Sequence, residues 1–261
     1  MPIRRYRSAL EYQYRTFNRG RFVHPDPLEF VRAFDDPADQ EVAALVASSL
    51  AYGRVAQILR SVRGVLERMG ASPARFVRDT SPRRMAAALA GFKHRWTTGD
   101  ELAGVLAGAR GVTRRYGSLS ACFRSALRPE DQTVVPALTA LVAELGGCRT
   151  GRGLLPDPAR GSACKRLHLM LRWMVRRDEV DLGTWRGVRP ALLVVPLDTH
   201  MLKIARALGL TRRRNADLRT ALEITAGFAS LCPDDPVRFD FCLTRLGIHP
   251  QVRPCEFLAR M

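Results

Sequence analysis

The chain has 261 residues, 46% of them hydrophobic, which is enough for a buried core and too many for a disordered chain. Forty-two basic residues against 25 acidic ones leave a formal charge of +17, so basic partners are repelled and polyanions, DNA or RNA first, are attracted. The opening residues Met1 to Arg7 lack a signal-type apolar stretch and no run reaches membrane-spanning length, so a cytoplasmic protein without a membrane partner is expected.

Residues 1–22 place Tyr6, Tyr12, Tyr14 and Phe17 among arginines at a spacing that suits a short helix, with the aromatics docking on the body of the protein or, as the alternative, stacking on nucleic acid. His24-Pro25-Asp26-Pro27 ends it. From Asp39 to Met69 the apolar positions follow a helical period, interrupted at Tyr52-Gly53. Further helices are expected over roughly 82–90, 100–115, 118–127 and 134–145. Residues 146–161 hold five glycines and two prolines and read as a turn-rich loop. A strongly apolar helix is expected from Ser162 to about Arg177. After a loop carrying Trp185, Pro190 and Pro196, another begins near Asp198, and two more cover 215–231 and 236–246. Leu192–Val195 alone resembles a strand, so the fold class is all-α.

Six cysteines (Cys122, Cys148, Cys164, Cys232, Cys242 and Cys255) never form a C-x-x-C pair, so local zinc and redox signatures are missing and no metal is expected. Only three of the basic residues are lysines, Lys93, Lys165 and Lys203. Arginine stays charged and cannot act as an amine nucleophile, so chemistry that needs an amine narrows to these three positions.

Two stretches carry chemistry. In G-S-A-C-K-R-L-H-L-M-L-R-W-M-V-R-R (161–177), Gly161 lets the backbone approach a ligand, and Ser162 is read as the helix N-cap. Lys165 sits in the first turn, where the partial positive charge of the helix start disfavours its ammonium form. Lys165, His168, Arg172 and Arg176 share one face. In V-P-L-D-T-H-M-L-K-I-A-R-A-L-G-L (195–210), Asp198 or Thr199 caps a helix whose buried stripe is Met201, Ile204, Ala205 and Leu208, while His200, Lys203 and Arg206 face elsewhere. A solvated lysine and a plain capping aspartate account for each stretch taken alone.

Together they resemble the helix-hairpin-helix DNA glycosylase superfamily. The 195–210 stretch is similar to the V-x-D-T-H-V-x-R-V-x-x-R-L-G-L segment of endonuclease III and its relatives, with Asp198 on the catalytic aspartate. Gly161 to Lys165 occupies the place of the family's hairpin, whose lysine is the nucleophile of bifunctional members. The G-x-G-x-K order is absent, however, and the gap of 198 − 165 = 33 residues is closer to the archaeal 8-oxoguanine glycosylase branch. A weaker similarity links 47–62 to the segment that wedges DNA strands apart in eukaryotic 8-oxoguanine glycosylases. Cys232, Cys242 and Cys255 are too few and too dispersed for the iron–sulfur cluster of endonuclease III, so no cofactor is expected.

The resemblance implies a monomeric glycosylase and abasic-site lyase on double-stranded DNA with a damaged base, an oxidised purine among the candidates. Lys165 and Asp198 would be catalytic. DNA contacts would come from Gly161, Ser162, Arg166, Arg172, Thr199, His200 and Lys203, with Arg54, Tyr52 or Leu50 filling the gap left by an extruded base. Trp173 and Trp185 are stacking candidates, though a core role suits each better. The implied layout is an N-terminal segment, 1–37, packing with a C-terminal part, 195–261, across a DNA groove from a helical domain, 38–194, that ends in the hairpin-like element. A non-catalytic nucleic-acid binder and a monofunctional glycosylase stay open as alternatives.

Overall fold

The structure, a computed structural model, describes residues 2–146 and 154–248. These residues are helical apart from turns, loops and one two-stranded hairpin, in agreement with the all-α expectation. The chain divides into two compact units, one of Asp26–Asp131 with Val135–Arg160, the other of Met1–Pro25, Gln132–Val134 and Gly161–Met261. Residues 161–194 therefore fall in the unit of the C-terminal residues and not with 38–160.

Helix α1 (Arg7–Phe17) belongs to the second unit. The first unit begins with α2 (Leu28–Val31) and α3 (Pro37–Ser49). Every residue of α3 from Asp39 to Ser49 is buried, the mark of a helix enclosed on all sides. Its two buried carboxylates are satisfied at the starts of other helices. Asp39 accepts from the Ser72 hydroxyl and the Ala74 N–H at α5 (Pro73–Asp79), and Glu41 accepts from Leu119 and Ser120 N–H at α8 (Leu119–Ser125). A helix start is where a buried carboxylate finds free N–H donors and a favourable dipole, so these charges fix how α3 meets its neighbours. Between α3 and α4 (Val55–Met69) the chain breaks at the expected place, with Gly53 at φ +97°. Helix α4 buries Ile58, Val62, Val65, Leu66 and Met69 along one stripe. Helices α6 (Pro82–Ala88), α7 (Gly99–Tyr116) and α9 (Val135–Glu144) complete this unit close to their expected bounds, whereas α2 and α5, each under two turns, went unread.

The hairpin was not expected either. Strands β1 (Lys93–His94) and β2 (Thr97–Thr98) pair in antiparallel fashion around the two-residue turn Arg95-Trp96, with Arg95 at φ +55°. A side chain in this left-handed region costs about 1 kcal/mol, which is why glycine or asparagine usually marks such turns. Buried His94 anchors the hairpin. Its Nε2 lies 3.0 Å from the Tyr52 carbonyl, which can only accept, so Nε2 carries the proton, and its Nδ1 lies 2.8 Å from the Ser61 hydroxyl.

The second unit contains α10 (Lys165–Val175), α11 (Thr199–Ala207), α12 (Leu218–Ala229) and α13 (Asp240–Ile248). Helices α1 and α11 both pack on α13. Helix α10 is buried from Leu167 to Val175, polar residues included. The basic face expected on it is therefore an internal one. Arg172 Nε donates to Asp181 at 3.2 Å and its Nη1 to Asp240. Arg176 donates to Asp181 at 2.7 Å and to Asp235 at 2.9 Å, and pairs with Asp178 at 2.6 Å. Tyr14 and Asn18 of the N-terminal segment also donate to Asp178, and Tyr6 is buried, so Tyr6 and Tyr14 dock on the body as expected, whereas Tyr12 is exposed. Trp173 and Trp185 are core residues. Leu192–Val195 is buried but forms no strand, and the Val195 N–H goes to the Thr225 hydroxyl instead of a neighbouring chain.

Candidate active site

The start of α11 is built as its sequence suggests. Pro196 cannot continue a preceding ladder, Leu197 is buried, and Asp198 adopts the extended backbone of an N-cap. Its Oδ1 accepts from the N–H of His200 at 2.9 Å and of Met201 at 2.8 Å. With Oδ1 engaged in this way, Oδ2 meets Lys165 Nζ at 2.9 Å.

Lys165 reaches it from the first residue of α10. The approach to this helix differs from the expectation. Ser162 is not the N-cap: its hydroxyl accepts from the Cys164 N–H at 3.3 Å, and its backbone bridges to Asp217 at the start of α12. Cys164 caps the helix in the left-handed region, at φ +42°, without a side-chain hydrogen bond to the helix, and α10 begins three residues later than expected. The Gly161 carbonyl accepts from Leu218 N–H at 2.9 Å, a second tie to α12. Gly161 is exposed, at φ +78°, and a Cβ placed on it would meet nothing within 4 Å, so space remains beside this backbone.

The Lys165 and Asp198 side chains are 34% and 31% exposed, open enough to meet a solute yet close enough to hold each other. Burial pushes the Asp198 carboxyl up, but the Lys165 ammonium and the Met201 N–H outweigh it and hold the group below the usual carboxylate range. Asp198 is thus an anion at neutral pH. Asp240, one of the acids on Arg172, lies within electrostatic reach of both partners. An amine beside a fixed carboxylate can form a carbon–nitrogen bond and hand over its proton, and the anion can steady a developing cation.

Of the residues expected to touch DNA, Thr199 and Lys203 are exposed on α11, and Arg166 is half-buried in the first turn of α10. His200 is half-buried, its Nε2 enclosed without a hydrogen-bond partner among the described residues. Arg172 is excluded from that role: it is 2% exposed and held by two aspartates. Leu50 is fully buried and cannot fill a gap in DNA. Arg54 is exposed and Tyr52 half-buried, both in the first unit, away from the elements that carry Lys165 and Asp198 in sequence and in unit assignment.

Sequence reasoning missed Trp96, the most exposed large hydrophobic side chain among the described residues, at 64%. The available signal was an aromatic next to basic residues in the polar stretch K-H-R-W-T-T. It also missed the acids Asp178, Asp181, Asp235 and Asp240 that claim the α10 arginines, because their convergence is set by the tertiary fold. Cys148, Cys255 and the loop residues 147–153 lie outside the described residues. Among those described, no helix is long and apolar enough to cross a membrane.

No curated protein and no solved structure matches the chain. A family model described as "Protein of unknown function (DUF2400)" matches residues 26–249, a span that takes in Lys165, Asp198 and Trp96, and the chain belongs to that family.

Proposed function

We propose that this protein is a DNA base-excision repair enzyme that removes a damaged base from double-stranded DNA and then cleaves the strand at the abasic site. The observation that carries the reading is the approach of Lys165 Nζ to Asp198 Oδ2, 2.9 Å apart across 33 residues of sequence, at a place open to solvent. Those two residues were singled out by the resemblance to helix-hairpin-helix glycosylases, and the charge of +17 supplies the attraction to a polyanion.

A base inside the stack must be extruded before its sugar can react. Lys165, as the neutral amine, attacks the sugar C1′; the new Nζ–C1′ bond replaces the glycosidic bond, whose electron pair leaves with the base. Asp198 steadies the positive charge on the sugar and accepts the proton shed by the amine. Opening of the sugar ring gives an imine, and loss of a proton from C2′ then expels the 3′ phosphate. The open backbone at Gly161, with Ser162, Arg166, Thr199, His200 and Lys203, would grip phosphates, which positions the duplex without reading sequence. An oxidised purine is the first lesion to test.

The experiment is a panel of duplexes that each carry one modified base, scored for base release and for a covalent adduct under borohydride. Release with adduct supports the reading. Release without an adduct makes water the nucleophile and leaves Lys165 as a phosphate contact. Salt-sensitive binding with neither product makes the protein a non-catalytic binder.

A further inference from the structure

The hairpin of the first unit presents an aromatic surface that the chemistry of Lys165 and Asp198 does not use. Trp96 sits at the turn, 64% exposed, stacked on Tyr52 with centroids 4.9 Å apart and planes 25° from parallel. A lone exposed aromatic is ordinary on a protein surface, but this one is held in place. The Tyr52 hydroxyl donates to the His94 carbonyl at 2.9 Å and lies 2.7 Å from the Thr97 hydroxyl. His94 packs edge-on against the Tyr52 ring and is itself buried on Ser61. The indole therefore stands on a scaffold of four residues drawn from three separate segments of the chain.

Its surroundings are cationic. The Arg95 guanidinium lies 4.7 Å from the Trp96 ring centroid, Lys93 is exposed on the same hairpin, and Arg54 is exposed two residues beyond Tyr52. Two acids follow the hairpin in the first turn of α7: Asp100 is exposed to solvent, and the Glu101 carboxylate accepts from the Thr98 N–H as part of the α7 capping box. Two backbone features keep the arrangement in place. Arg95 occupies the left-handed region, and Gly53, also at positive φ, lies under the Arg95 side chain so closely that a Cβ there would come within 2.9 Å of Arg95 Cδ. Strain in a turn at a solvent-exposed tip points to a role for the side chains it presents.

We propose that Trp96, backed by Tyr52 and flanked by Arg95, Arg54 and Lys93, is a stacking platform for an unpaired nucleobase. A flat, immobile indole gives a base a π-face without the entropy loss of a mobile ring, and the cations neutralise the adjoining phosphates. Every base has such a face, so the platform is indifferent to sequence. An unpaired base arises in a single strand or opposite a gap in a duplex, and the platform takes either. The proposal rests on the nucleic-acid partner of the reading above, but not on its chemistry.

The chain has three tryptophans, and Trp173 and Trp185 are buried, so fluorescence quenched by a polar solute reports on Trp96. The test titrates the full chain with a twelve-residue oligothymidine, a duplex with one unpaired base and an intact duplex, at low salt, following tryptophan emission and oligonucleotide anisotropy together. Saturable quenching by the first two and little by the third is expected. Trp96→Ala should lower affinity for the oligothymidine about tenfold, and Trp96→Phe should keep most of it. Both variants alter an exposed tip, and unchanged thermal unfolding checks that the fold is intact. Binding without quenching, with Trp96→Ala as tight as wild type, overturns the platform and leaves the repair reading standing. Equal quenching by intact duplex overturns the preference for an unpaired base. No binding to any of the three overturns platform and repair reading alike. Binding and quenching here, together with no base release from any duplex of the modified-base panel, overturns only the chemistry.

Discussion

The two ends of helix α10 put the same kinds of charge to different use. At its first residue, Lys165 meets Asp198 with both side chains about one-third exposed. Two turns on, Arg172 meets Asp181 and Asp240 with none of the three more than 2% exposed. The inner set is sealed from any solute. Removing one member leaves the others charged and dry, which is why buried ion pairs are costly to break even when they add little net stability. The outer pair gains little from its own attraction because water screens it. It is therefore the pair whose loss should cost the fold least. Burial, more than residue type, separates the sealed charges from the accessible ones here.

The largest expected effect falls on the sealed set. Arg172→Ala should destabilise the protein by about 3–5 kcal/mol, seen as a lower midpoint in urea or heat. Arg172→Lys should recover little, since a single ammonium cannot reproduce the two-sided hydrogen bonding to Asp181 and Asp240. A loss within about 1 kcal/mol would mean that the inner pairs are hydrated and that the contrast along α10 does not hold.

A pH dependence sharpens the same contrast. His168, between the two pairs, is fully buried with neither ring nitrogen hydrogen-bonded among the described residues, and burial lowers its pKa to about 4. In the unfolded chain it titrates near 6.5. Between these values the unfolded state takes up a proton that the folded state refuses, so stability is complete above about pH 6.5 and is lost as pH falls toward 4. The loss from this residue amounts to about 3 kcal/mol. Urea unfolding at pH 7, 5.5 and 4.5 measures it, and in His168→Leu this part of the slope should vanish. An unchanged slope would show that His168 is not the neutral buried group described here.

At the open end the effects on stability are small. Asp198→Ala removes a helix cap and should cost about 1 kcal/mol, while Asp198→Asn, also a good cap, should cost a few tenths. Lys165→Ala should stay within about 1 kcal/mol. Thermal unfolding checks all three, and a large loss at Lys165 would show that its pair with Asp198 holds the fold together as the inner set does.

The helices with long periodic stripes, α4 and α7, were legible in the sequence, as was the N-cap at Asp198, because local pattern decides both. Arg172 was not. Offsets of three and four describe a solvated basic stripe and a buried ladder equally well, and only the acids at 178, 181, 235 and 240 tell them apart. Ser162 looked like a cap but is engaged with Cys164 and with Asp217, a partner 55 residues away that no local pattern reveals. The hairpin escaped notice because Arg95-Trp96 carries none of the glycine or asparagine that signals a tight turn.

The central claim is that Lys165 is a nucleophile and Asp198 its charged partner. Borohydride trapping on a lesion-bearing duplex tests it most directly, with wild type, Lys165→Arg and Asp198→Asn compared at equal occupancy set by anisotropy. Binding itself should weaken steeply as salt rises. The account predicts a covalent adduct for wild type, none for Lys165→Arg despite retained binding, and slowed base release for Asp198→Asn, whose cap survives while its charge is gone. An adduct that persists in Lys165→Arg would contradict it, since arginine keeps the charge but offers no amine that can be deprotonated.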